Sequence, residues 1–315
     1  MDIKAKRILI TGGAGAAGTN LVHRLKDENG LWVLDDLSSG RRENIQFNDN
    51  IIFIEGSVND DGVLKRIFSE KIEIVFHLAA NFANQNSVEH PQRDLEVNGM
   101  GTLKLLEHAR DYEIERFIYT SSSCVYGDKE GALSEDCKEF NVDTPYAITK
   151  LLGERYTTFF HEYYGLPTVI LRYFNCYGPW EFPGKYRNVI PNFFQWAREG
   201  RALPITGSGN ETRDFNFIED TLEGTILAAH YDSAIGGIYN IGSGMETKIK
   251  DVARVINKIC DNKAGIKLIE RRTWDRIPRR LADITKAQEE LAYQPRTKLE
   301  EGLQKTYEWF LEYAW

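Results

Sequence analysis

Tyr146 and Lys150 are a pair of side chains that could take a proton from an alcohol. They stand four residues apart in the run YAITK, so that on a helix the phenol and the ammonium share one face. A neighbouring ammonium stabilises a phenolate and lowers its pKa, which would make Tyr146 a usable base towards a sugar or alcohol hydroxyl near neutral pH. Thr144 and Pro145, just before the pair, are typical of the start of a helix.

A run of hydroxyl side chains is the second candidate for chemistry. Thr120 to Ser123 close an apolar stretch and are followed by Cys124 and the sequence VYG. Parallel sheets bind their ligands at the carboxyl edge of the strands. Hydroxyls at the end of a buried strand would therefore face a ligand.

A glycine-rich loop, TGGAGAAG, follows the first predicted strand and opens a helix. In a dinucleotide-binding loop Gly12 would permit the tight turn, Gly15 the approach of a pyrophosphate and Gly18 the packing of helix on strand. The phosphates would lie at the helix N-terminus. Asp35, at the end of the second strand, could bind the hydroxyls of an adenosine ribose, which favours NAD; the Arg41–Arg42 pair leaves NADP open.

Strand and helix patterns alternate through the first half of the chain, as they do in a parallel sheet with helices on both faces. Strands buried on both faces are continuous apolar runs, and Ile8–Ile10 and Ile74–Phe76 are such runs. The predicted strands are Arg7–Thr11, Leu31–Leu34, Ile51–Ile54, Ile72–Leu78, Arg116–Ser121 and Thr168–Arg172, and the predicted helices are Thr19–Lys26, Asp61–Ser69, Gly101–Arg110 and Tyr146–Tyr164. The fold class is α/β, with a Rossmann-type doubly wound parallel sheet.

The pattern changes after about Asn175, where prolines and glycines interrupt one long loop. Strands are predicted beyond it at Leu203–Ile205, Phe215–Ile218, Gly237–Ile241 and Ile266–Ile269, with helices at Asn192–Arg198, Thr221–His230 and Ile249–Lys258. We predict a cofactor-binding Rossmann domain over residues 1–178 and a smaller mixed α/β C-terminal substrate lobe over residues 179–315. Segments near 213–241 are expected to pack back on the first domain.

Composition excludes several classes of protein. The chain has 315 residues, a net charge of −8 and no long basic run, which argues against binding to nucleic acid. Its apolar runs are strand-sized, and the first strand begins by Arg7, so we expect no membrane partner and a cytoplasmic location. The four cysteines form no CxxC pair and the six histidines no HxH or HExxH spacing, so no metal site is predicted.

The order of these motifs makes the chain similar to the extended short-chain dehydrogenase/reductase family, in particular its NAD-dependent nucleotide-sugar epimerase/dehydratase group. The resemblance extends over nearly the whole chain. It is carried by the glycine loop, the YxxxK pair and the segments Asp35–Gly40, His77–Ala80, Asn98–Thr102, Ser121–Gly127, Leu171–Pro179, Arg213–Phe215 and Tyr239–Ser243.

The resemblance implies roles for the chemical groups. Tyr146 would be the base, Lys150 its partner and a ligand of the cofactor ribose, and Ser122 the hydroxyl that orients the C4 oxygen of a sugar. Hydride would pass from C4 to the nicotinamide, giving a 4-keto sugar and NADH. The NAD site would consist of Gly12, Gly15, Ala16, Ala17, Gly18, Asp35, Asp36, Ser57, Val58, Leu78, Ala79 and Ala80, together with Tyr146 and Lys150.

The same resemblance implies a nucleotide-diphosphate sugar, GDP- or UDP-linked, as substrate. Its site would consist of Ser123, Asn175, Lys185, Asn188, Val189 and Arg213, with Arg272 or Arg276 completing a clamp on the diphosphate. A guanidinium suits a diphosphate because it forms bidentate, charge-assisted hydrogen bonds. Two helices, near Gly101–Arg110 and Tyr146–Tyr164, would pack against a second subunit and form a homodimer.

Several residues depart from the family pattern. Ala16 and Ala17 replace an aromatic residue and an isoleucine, and Ser57 replaces an acid that meets adenine, so cofactor affinity is expected to differ. Ser123 and Cys124 stand where dehydratases carry Asp and Glu, and a serine and a neutral thiol are poor groups for an elimination. The pattern therefore favours a 4-epimerase or a 4-dehydrogenase over a 4,6-dehydratase or a decarboxylase.

Two alternatives stay open at this point. Cys124 and Lys185 match a cysteine and a lysine that 3,5-epimerases use, and a thiolate near a cation could take a proton next to a 4-keto group. A non-catalytic NAD-sensing regulator could share the fold. Such regulators commonly lose the tyrosine or the lysine, and this chain keeps Tyr146, Lys150 and Ser122.

Overall fold

The structure, a computed structural model, describes residues 1–271 and 277–313. The strands of this part of the chain are β1 (Arg7–Thr11), β2 (Gly30–Asp35), β3 (Ile51–Glu55), β4 (Ile74–His77), β5 (Arg116–Ser122), β6 (Gly131–Leu133), β7 (Thr168–Tyr173), β8 (Cys176–Tyr177), β9 (Leu203–Thr206), β10 (Thr212–Asp214), β11 (Asn216–Phe217), β12 (Ile238–Ile241), β13 (Glu246–Lys248), β14 (Ile266–Ile269) and β15 (Arg280–Ala282). The α-helices are α1 (Ala16–Leu25), α2 (Asp61–Phe68), α3 (Asn84–Glu89), α4 (Pro91–Asp94), α5 (Gly101–Asp111), α6 (Pro145–Tyr164), α7 (Val189–Arg198), α8 (Ile218–His230), α9 (Ile249–Ile259), α10 (Thr285–Leu291) and α11 (Leu299–Tyr313).

Seven parallel strands form the central sheet, in the order β12-β7-β5-β4-β1-β2-β3. The chain builds outwards from β1 in both directions, so the connections at the carboxyl ends of β1 and β4 leave on opposite sides. Doubly wound folds bind their ligands at this switch point. The sheet confirms the predicted α/β, Rossmann-type fold.

Apolar side chains on the two faces of the sheet form two separate core layers. Along β1, Ile8 and Ile10 belong to the layer that contains Leu21 of α1, whereas Leu9 belongs to the layer that contains Leu64 of α2. All of these side chains are fully buried. Burying one such side chain stabilises the fold by about 1.5–3 kcal/mol, so both faces of the sheet must be covered by helices.

The second half of the chain contributes short, separate strand pairs. β14 pairs with β9, β15 with β6 and β11 with β8, all parallel, and β10 pairs with β13 in the antiparallel sense. β12 instead joins β7 at the edge of the central sheet. The predicted division of the chain at residue 178 stays a prediction.

Sequence patterns were least accurate where elements are short or depend on distant partners. The stretch Phe215–Ile218 was predicted as a strand, but only β11 is extended and α8 begins at Ile218. Glu219 and Asp220, in the first turn of α8, favour a helix start there because they complement the helix dipole. The β6–β15 pair joins segments far apart in sequence, so no local sequence pattern predicts it. None of the helices in the two described ranges is long and apolar enough to cross a membrane.

A buried ion pair fastens α6 to the sheet. The Arg172 guanidinium of β7 donates to both carboxylate oxygens of Glu154, at 2.9 and 2.7 Å. The Ser121 hydroxyl of β5 donates to Glu154 at 2.5 Å, and Arg172 also donates to the Tyr126 hydroxyl at 3.0 Å. Glu154 and Arg172 are both almost completely buried. Glu154 follows Lys150 by one helical turn, so this pair sets how α6 lies against the strand that ends in Ser122.

Breaking the Glu154–Arg172 pair is predicted to destabilise the protein strongly. Glu154→Gln or Arg172→Met leaves a buried charge without its partner, which costs about 3–5 kcal/mol. The double variant is expected to lose less than the sum of the two, because no unpaired charge remains. Urea unfolding followed by circular dichroism measures these differences.

The matched control is Glu28→Gln, which breaks the exposed Lys4–Glu28 pair. Exposed pairs contribute at most about 1 kcal/mol, so this variant should unfold like the wild type. Equal, small effects of the buried and exposed substitutions would contradict the structural role of the buried pair.

Candidate active site

One large cleft runs along the carboxyl edge of the central sheet, with a volume of about 510 Å³. Its lining includes every described residue that the sequence singled out: Gly12, Gly15, Ala16, Ala17, Gly18, Asp35, Asp36, Ser57, Val58, Leu78, Ala79, Ala80, Ser122, Ser123, Cys124, Tyr146, Lys150, Asn175, Lys185, Asn188, Val189 and Arg213. Arg272 and Arg276 lie outside the described residues. The fold thus brings distant motifs to one place.

The glycine loop forms a cradle that side chains would fill. Gly12 has φ of 69°, and a Cβ on it would lie 2.7 Å from the backbone nitrogen of Ala79. A Cβ on Gly18 would lie 2.1 Å from the carbonyl oxygen of Gly12. No side chain caps the N-terminus of α1, which begins directly after Gly15. The free backbone N–H groups and the helix dipole suit a pyrophosphate, so the loop fits NAD.

Asp35 is fixed at the ribose end of this cradle. Its carboxylate accepts hydrogen bonds from the backbone N–H groups of Ala14 and Leu37, both at 2.9 Å. Burial raises the pKa of Asp35, and these hydrogen bonds oppose the rise. The neighbouring guanidinium groups are held on aromatic rings: Arg41 lies 3.8 Å above the ring of Phe182, and Arg42 packs on Phe47 and Phe53. A carboxylate at this position favours the free ribose hydroxyls of NAD, and the arginine near it, Arg93, forms an ion pair with Asp36 at 3.8 Å.

His77 is a structural residue beside the cofactor site. Its Nδ1 lies 2.8 Å from the Thr11 hydroxyl and its Nε2 2.9 Å from the Thr102 hydroxyl. The Thr102 hydroxyl donates to the carbonyl of Asn98, so it accepts the proton of Nε2. Burial lowers the pKa of His77 to about 3, which keeps the imidazole neutral. The network joins β1, β4 and α5 without taking part in proton transfer.

Tyr146 and Lys150 are held on the first turns of α6. The helix begins at Pro145, and the Thr144 hydroxyl caps it by accepting from the N–H of Ala147 at 3.4 Å. Lys150 is buried, and its Nζ donates to the carbonyl of Thr120 at 2.8 Å. The same Nζ lies 5.9 Å from the centre of the Tyr146 ring. Tyr146 is buried too and shares a hydrogen bond with the Ser122 hydroxyl.

Burial dominates the electrostatics of this pair. Burial raises the pKa of Tyr146 well above that of a free phenol, although the hydrogen bond from Ser122 lowers it. Burial also lowers the pKa of Lys150 to about 8, and the carboxylates of Asp94 and Glu154 oppose that change. The expectation that Lys150 stabilises the phenolate of Tyr146 stays a prediction.

Cys124 and Lys185 both line the cleft, but each has another partner. The Cys124 sulfur accepts a hydrogen bond from Nδ2 of Asn84 at 3.5 Å, and Oδ1 of Asn84 accepts from Thr144 at 2.8 Å. Lys185 is largely exposed and forms an ion pair with Glu89 at 2.6 Å. The ammonium is thus engaged at the rim of the cleft by a carboxylate.

Among the cleft residues that sequence reasoning did not assign to the site are Asn84, Thr144, Glu181 and Arg280. Glu181, in the loop after β8, is 6 % exposed and accepts from the N–H of Asn188 at 3.3 Å. Burial raises its pKa to about 7, although the charge of Arg187 lowers it. An acid among the aromatic residues and prolines of the run YGPWEFPG was the available signal.

Residues 8–242 match the model of a family described as the NAD-dependent epimerase/dehydratase family. The chain is 34% identical over 309 residues to a UDP-glucose 4-epimerase of Mycolicibacterium smegmatis, and the match covers 96% of this chain and 98% of that protein. Its fold is similar to that of an epimerase of Methanothermobacter thermautotrophicus, with a TM-score of 0.95, 48% identity, and coverage of 98% of this chain and 93% of the other. It is also similar to a UDP-glucuronic acid 4-epimerase of Bacillus cereus in complex with UDP-glucuronic acid and NAD, with a TM-score of 0.90, 32% identity, and coverage of 97% and 99%.

Proposed function

The chain belongs to the NAD-dependent epimerase/dehydratase family, and we propose that it is a 4-epimerase of UDP-linked sugars. The observation that carries the proposal is the constellation of Ser122, Tyr146 and Lys150 at the nicotinamide end of a cleft that has no carboxylate at positions 123 and 124. Such a site can oxidise and reduce a carbinol carbon, and at positions 123 and 124 it lacks the acid and base that dehydratases carry there.

The chain's own residues move and hold one proton. The C4 hydroxyl of the sugar binds between the Ser122 hydroxyl and the Tyr146 phenol, and its proton passes to Tyr146. When bound, NAD supplies the hydride acceptor and a positive charge at this end of the cleft. Lys150, held by the carbonyl of Thr120, adds a second positive charge that stabilises the phenolate form. Reversal of these steps on the other face of the sugar inverts C4.

Contacts across the cleft favour retention of the cofactor, as an epimerase requires and a 4-dehydrogenase does not. Residues 180–188 form a loop that reaches the segment after β2. Arg187 donates to the carbonyl of Ser39 at 2.7 Å, and Phe182 lies under the guanidinium of Arg41. The loop therefore ties the substrate lobe to the segment beside the ribose-binding Asp35. The Lys185–Glu89 ion pair, in turn, favours 4-epimerisation over the 3,5-epimerase alternative, which needs that ammonium near Cys124.

The nucleotide end of the cleft has groups suited to a diphosphate. Asn188 stands at the N-terminus of α7, where backbone N–H groups and the helix dipole favour an anion. Arg213 also lines the cleft. Relatives that act on UDP-glucose and UDP-glucuronic acid support UDP as the nucleotide rather than GDP. Glu181 lies directly behind Asn188, so its charge acts on any anion bound there.

We also propose a homodimer formed by α5 and α6. Ile148, Phe159 and Tyr163 are exposed on α6, at spacings that place them on one face, and Tyr163 is 72% exposed. Met100, just before α5, is exposed as well. Apolar residues at heptad-like spacing are typical of a helix seam, and α5 packs beside α6 in one subunit. Two such faces would form a four-helix interface.

Replacing Tyr146 with Phe is predicted to abolish epimerisation. The phenol is the group that receives the proton, so kcat should fall by about two to four orders of magnitude. Interconversion of UDP-glucose and UDP-galactose, followed by product chromatography and by NADH absorbance, measures it. Tyr163→Phe makes the same change on the exposed side of the same helix and should leave kcat unchanged. If neither variant changed the turnover of any UDP-, GDP-, CDP- or dTDP-sugar, the proposal would be wrong.

Binding of UDP-sugars is predicted to weaken as the pH rises through about 7. Glu181 has a raised pKa of about 7, so below it the side chain is neutral and above it a negative charge faces the diphosphate. Calorimetric titration with UDP-glucose, whose diphosphate does not titrate between pH 6 and 8, should show a rising Kd. Glu181→Gln should remove the pH dependence, and a dependence that persists in this variant would assign it to another group.

Charged substitutions on the exposed face of α6 are predicted to give monomers. Phe159→Glu combined with Tyr163→Glu would place four carboxylates in the proposed interface of two subunits. Light scattering after size-exclusion chromatography should show about half the wild-type mass. Met245→Glu, which changes an exposed apolar residue elsewhere, should not alter the mass. A monomeric wild type would refute the proposed interface.

A further inference from the structure

Arg280, at the start of β15, is a buried cation in the cleft for which the proposed chemistry has no use. It is 9 % exposed and forms part of the cleft lining. Its Nη2 donates to the carbonyl of Gly127 at 2.6 Å, while its buried Nε has no acceptor. Within residues 1–271 and 277–313 no carboxylate forms an ion pair with it. Other arginines of this region are neutralised, as Arg279 is by Glu246 at 2.7 Å.

An unpaired guanidinium in this position is costly. A buried charge destabilises the protein unless an opposite charge lies close to it, and an N–H without an acceptor adds to the cost. One neutral carbonyl compensates only part of this. An anion bound in the cleft would provide both the charge and the missing acceptor, so the site is suited to an anionic ligand group.

The neighbours of Arg280 place this site beside the sugar. Thr212 forms a parallel bridge with Arg279, so Arg213 and Arg280 follow side by side along two neighbouring strands, and both line the cleft. Arg213 belongs to the diphosphate end. The Arg280 guanidinium extends from β15 to the carbonyl of Gly127. The N–H of Gly127 donates to the carbonyl of Cys124 at 3.0 Å and so closes the turn after β5. That turn starts at Ser122, where the reacting hydroxyl binds. With the diphosphate at Arg213 and the reacting hydroxyl at Ser122, as the proposed function has them, Arg280 lies along the path between the two, where the sugar ring is expected.

The residues around the ring support an anion there. The turn from Ser122 to Gly127 contains hydroxyls and a thiol but no carboxylate that would repel it. Ser123 and Thr144 add hydroxyl groups to the cleft lining, and Asp143 adds a carboxylate to it. We propose that the sugar of the natural substrate carries a carboxylate, as in a hexuronate, and that Arg280 is the residue that selects it. This inference rests on the proposed 4-epimerase function and narrows its substrate class.

The test compares an acidic and a neutral sugar on the same nucleotide. For wild-type holoenzyme, kcat/KM for 4-epimerisation of UDP-glucuronate should exceed that for UDP-glucose by about 10- to 100-fold, the value of one charge-assisted hydrogen bond. Arg280→Met should bring the ratio close to one by losing activity on UDP-glucuronate alone. Arg280→Lys keeps the charge and should retain part of the preference. Arg279 is adjacent in sequence but does not line the cleft, so Arg279→Met should have the same kcat/KM ratio for the two sugars as the wild type.

Two outcomes would overturn the assignment. One is a wild type with no preference for UDP-glucuronate, which decides the question even if Arg280→Met fails to fold. The other is an equal loss of kcat/KM for both sugars in Arg280→Met, which would mean that the guanidinium binds the diphosphate. Calorimetric titration of the Tyr146→Phe holoprotein with both sugars measures binding without turnover. It therefore distinguishes a failure of the carboxylate site from a failure of the proposed reaction. Tighter binding of UDP-glucuronate without any epimerisation by the wild type would contradict the reaction and support the site.

Discussion

The proposed active site depends on how a single helix lies against two strands. Tyr146 and Lys150 are on α6, whereas Ser122 and the carbonyl of Thr120 are on β5, so the geometry of the proposed proton transfer is only as precise as the contact between these elements. The bidentate Glu154–Arg172 pair, with the hydroxyl of Ser121 on the same carboxylate, fixes that contact from behind. A buried ion pair contributes little net stability compared with apolar packing, but it has one good geometry, and this one defines the rotation of α6. In that orientation Lys150 donates to the carbonyl of Thr120 and Tyr146 shares a hydrogen bond with the Ser122 hydroxyl.

The chain is acidic overall, yet its cleft gathers buried or half-buried cations. Lys150, Arg213 and Arg280 line it together with acidic residues that include Asp35, Asp36 and Glu181. The charge that a bound anion meets therefore depends on how far these acids are ionised. Burial raises the pKa of Glu181 to about 7. Its carboxyl therefore carries a full negative charge only well above pH 7, where it opposes the positive potential that a diphosphate needs.

Sequence patterns predicted the parts of the site in which chemistry is encoded locally. The glycine loop is such a case: the positive φ of Gly12 and the close approach at Gly18 allow no side chain, so the residue type itself reveals the geometry. The spacing of Tyr146 and Lys150 is another, because helix periodicity alone brings them together. Glu181 and Arg280 were missed because their roles come from burial and from partners such as Gly127, more than one hundred residues away. The effect of burial on the pKa of Tyr146 could not be predicted for the same reason: a sequence shows which charge is near, but not how much water is lost.

The proposed carboxylate site places a constraint on inversion at C4. If bound NAD and Tyr146 act from one side of the cleft, the 4-keto sugar would have to turn its other face towards them before it could be reduced. A sugar held through its diphosphate alone could turn about that end, whereas a sugar also held by Arg280 must break or move that second contact. If Arg280 stabilises the sugar before it rotates but not while it rotates, the barrier to inversion is higher. Only interactions that are also made in the transition state accelerate the reaction. The site limits this conflict, because the guanidinium has one fixed hydrogen bond, to Gly127, and can follow the carboxylate through the donors that remain. A short, flexible contact of this kind reconciles selection of an acidic sugar with release of its ring, which a rigid bidentate clamp held by further side chains would prevent.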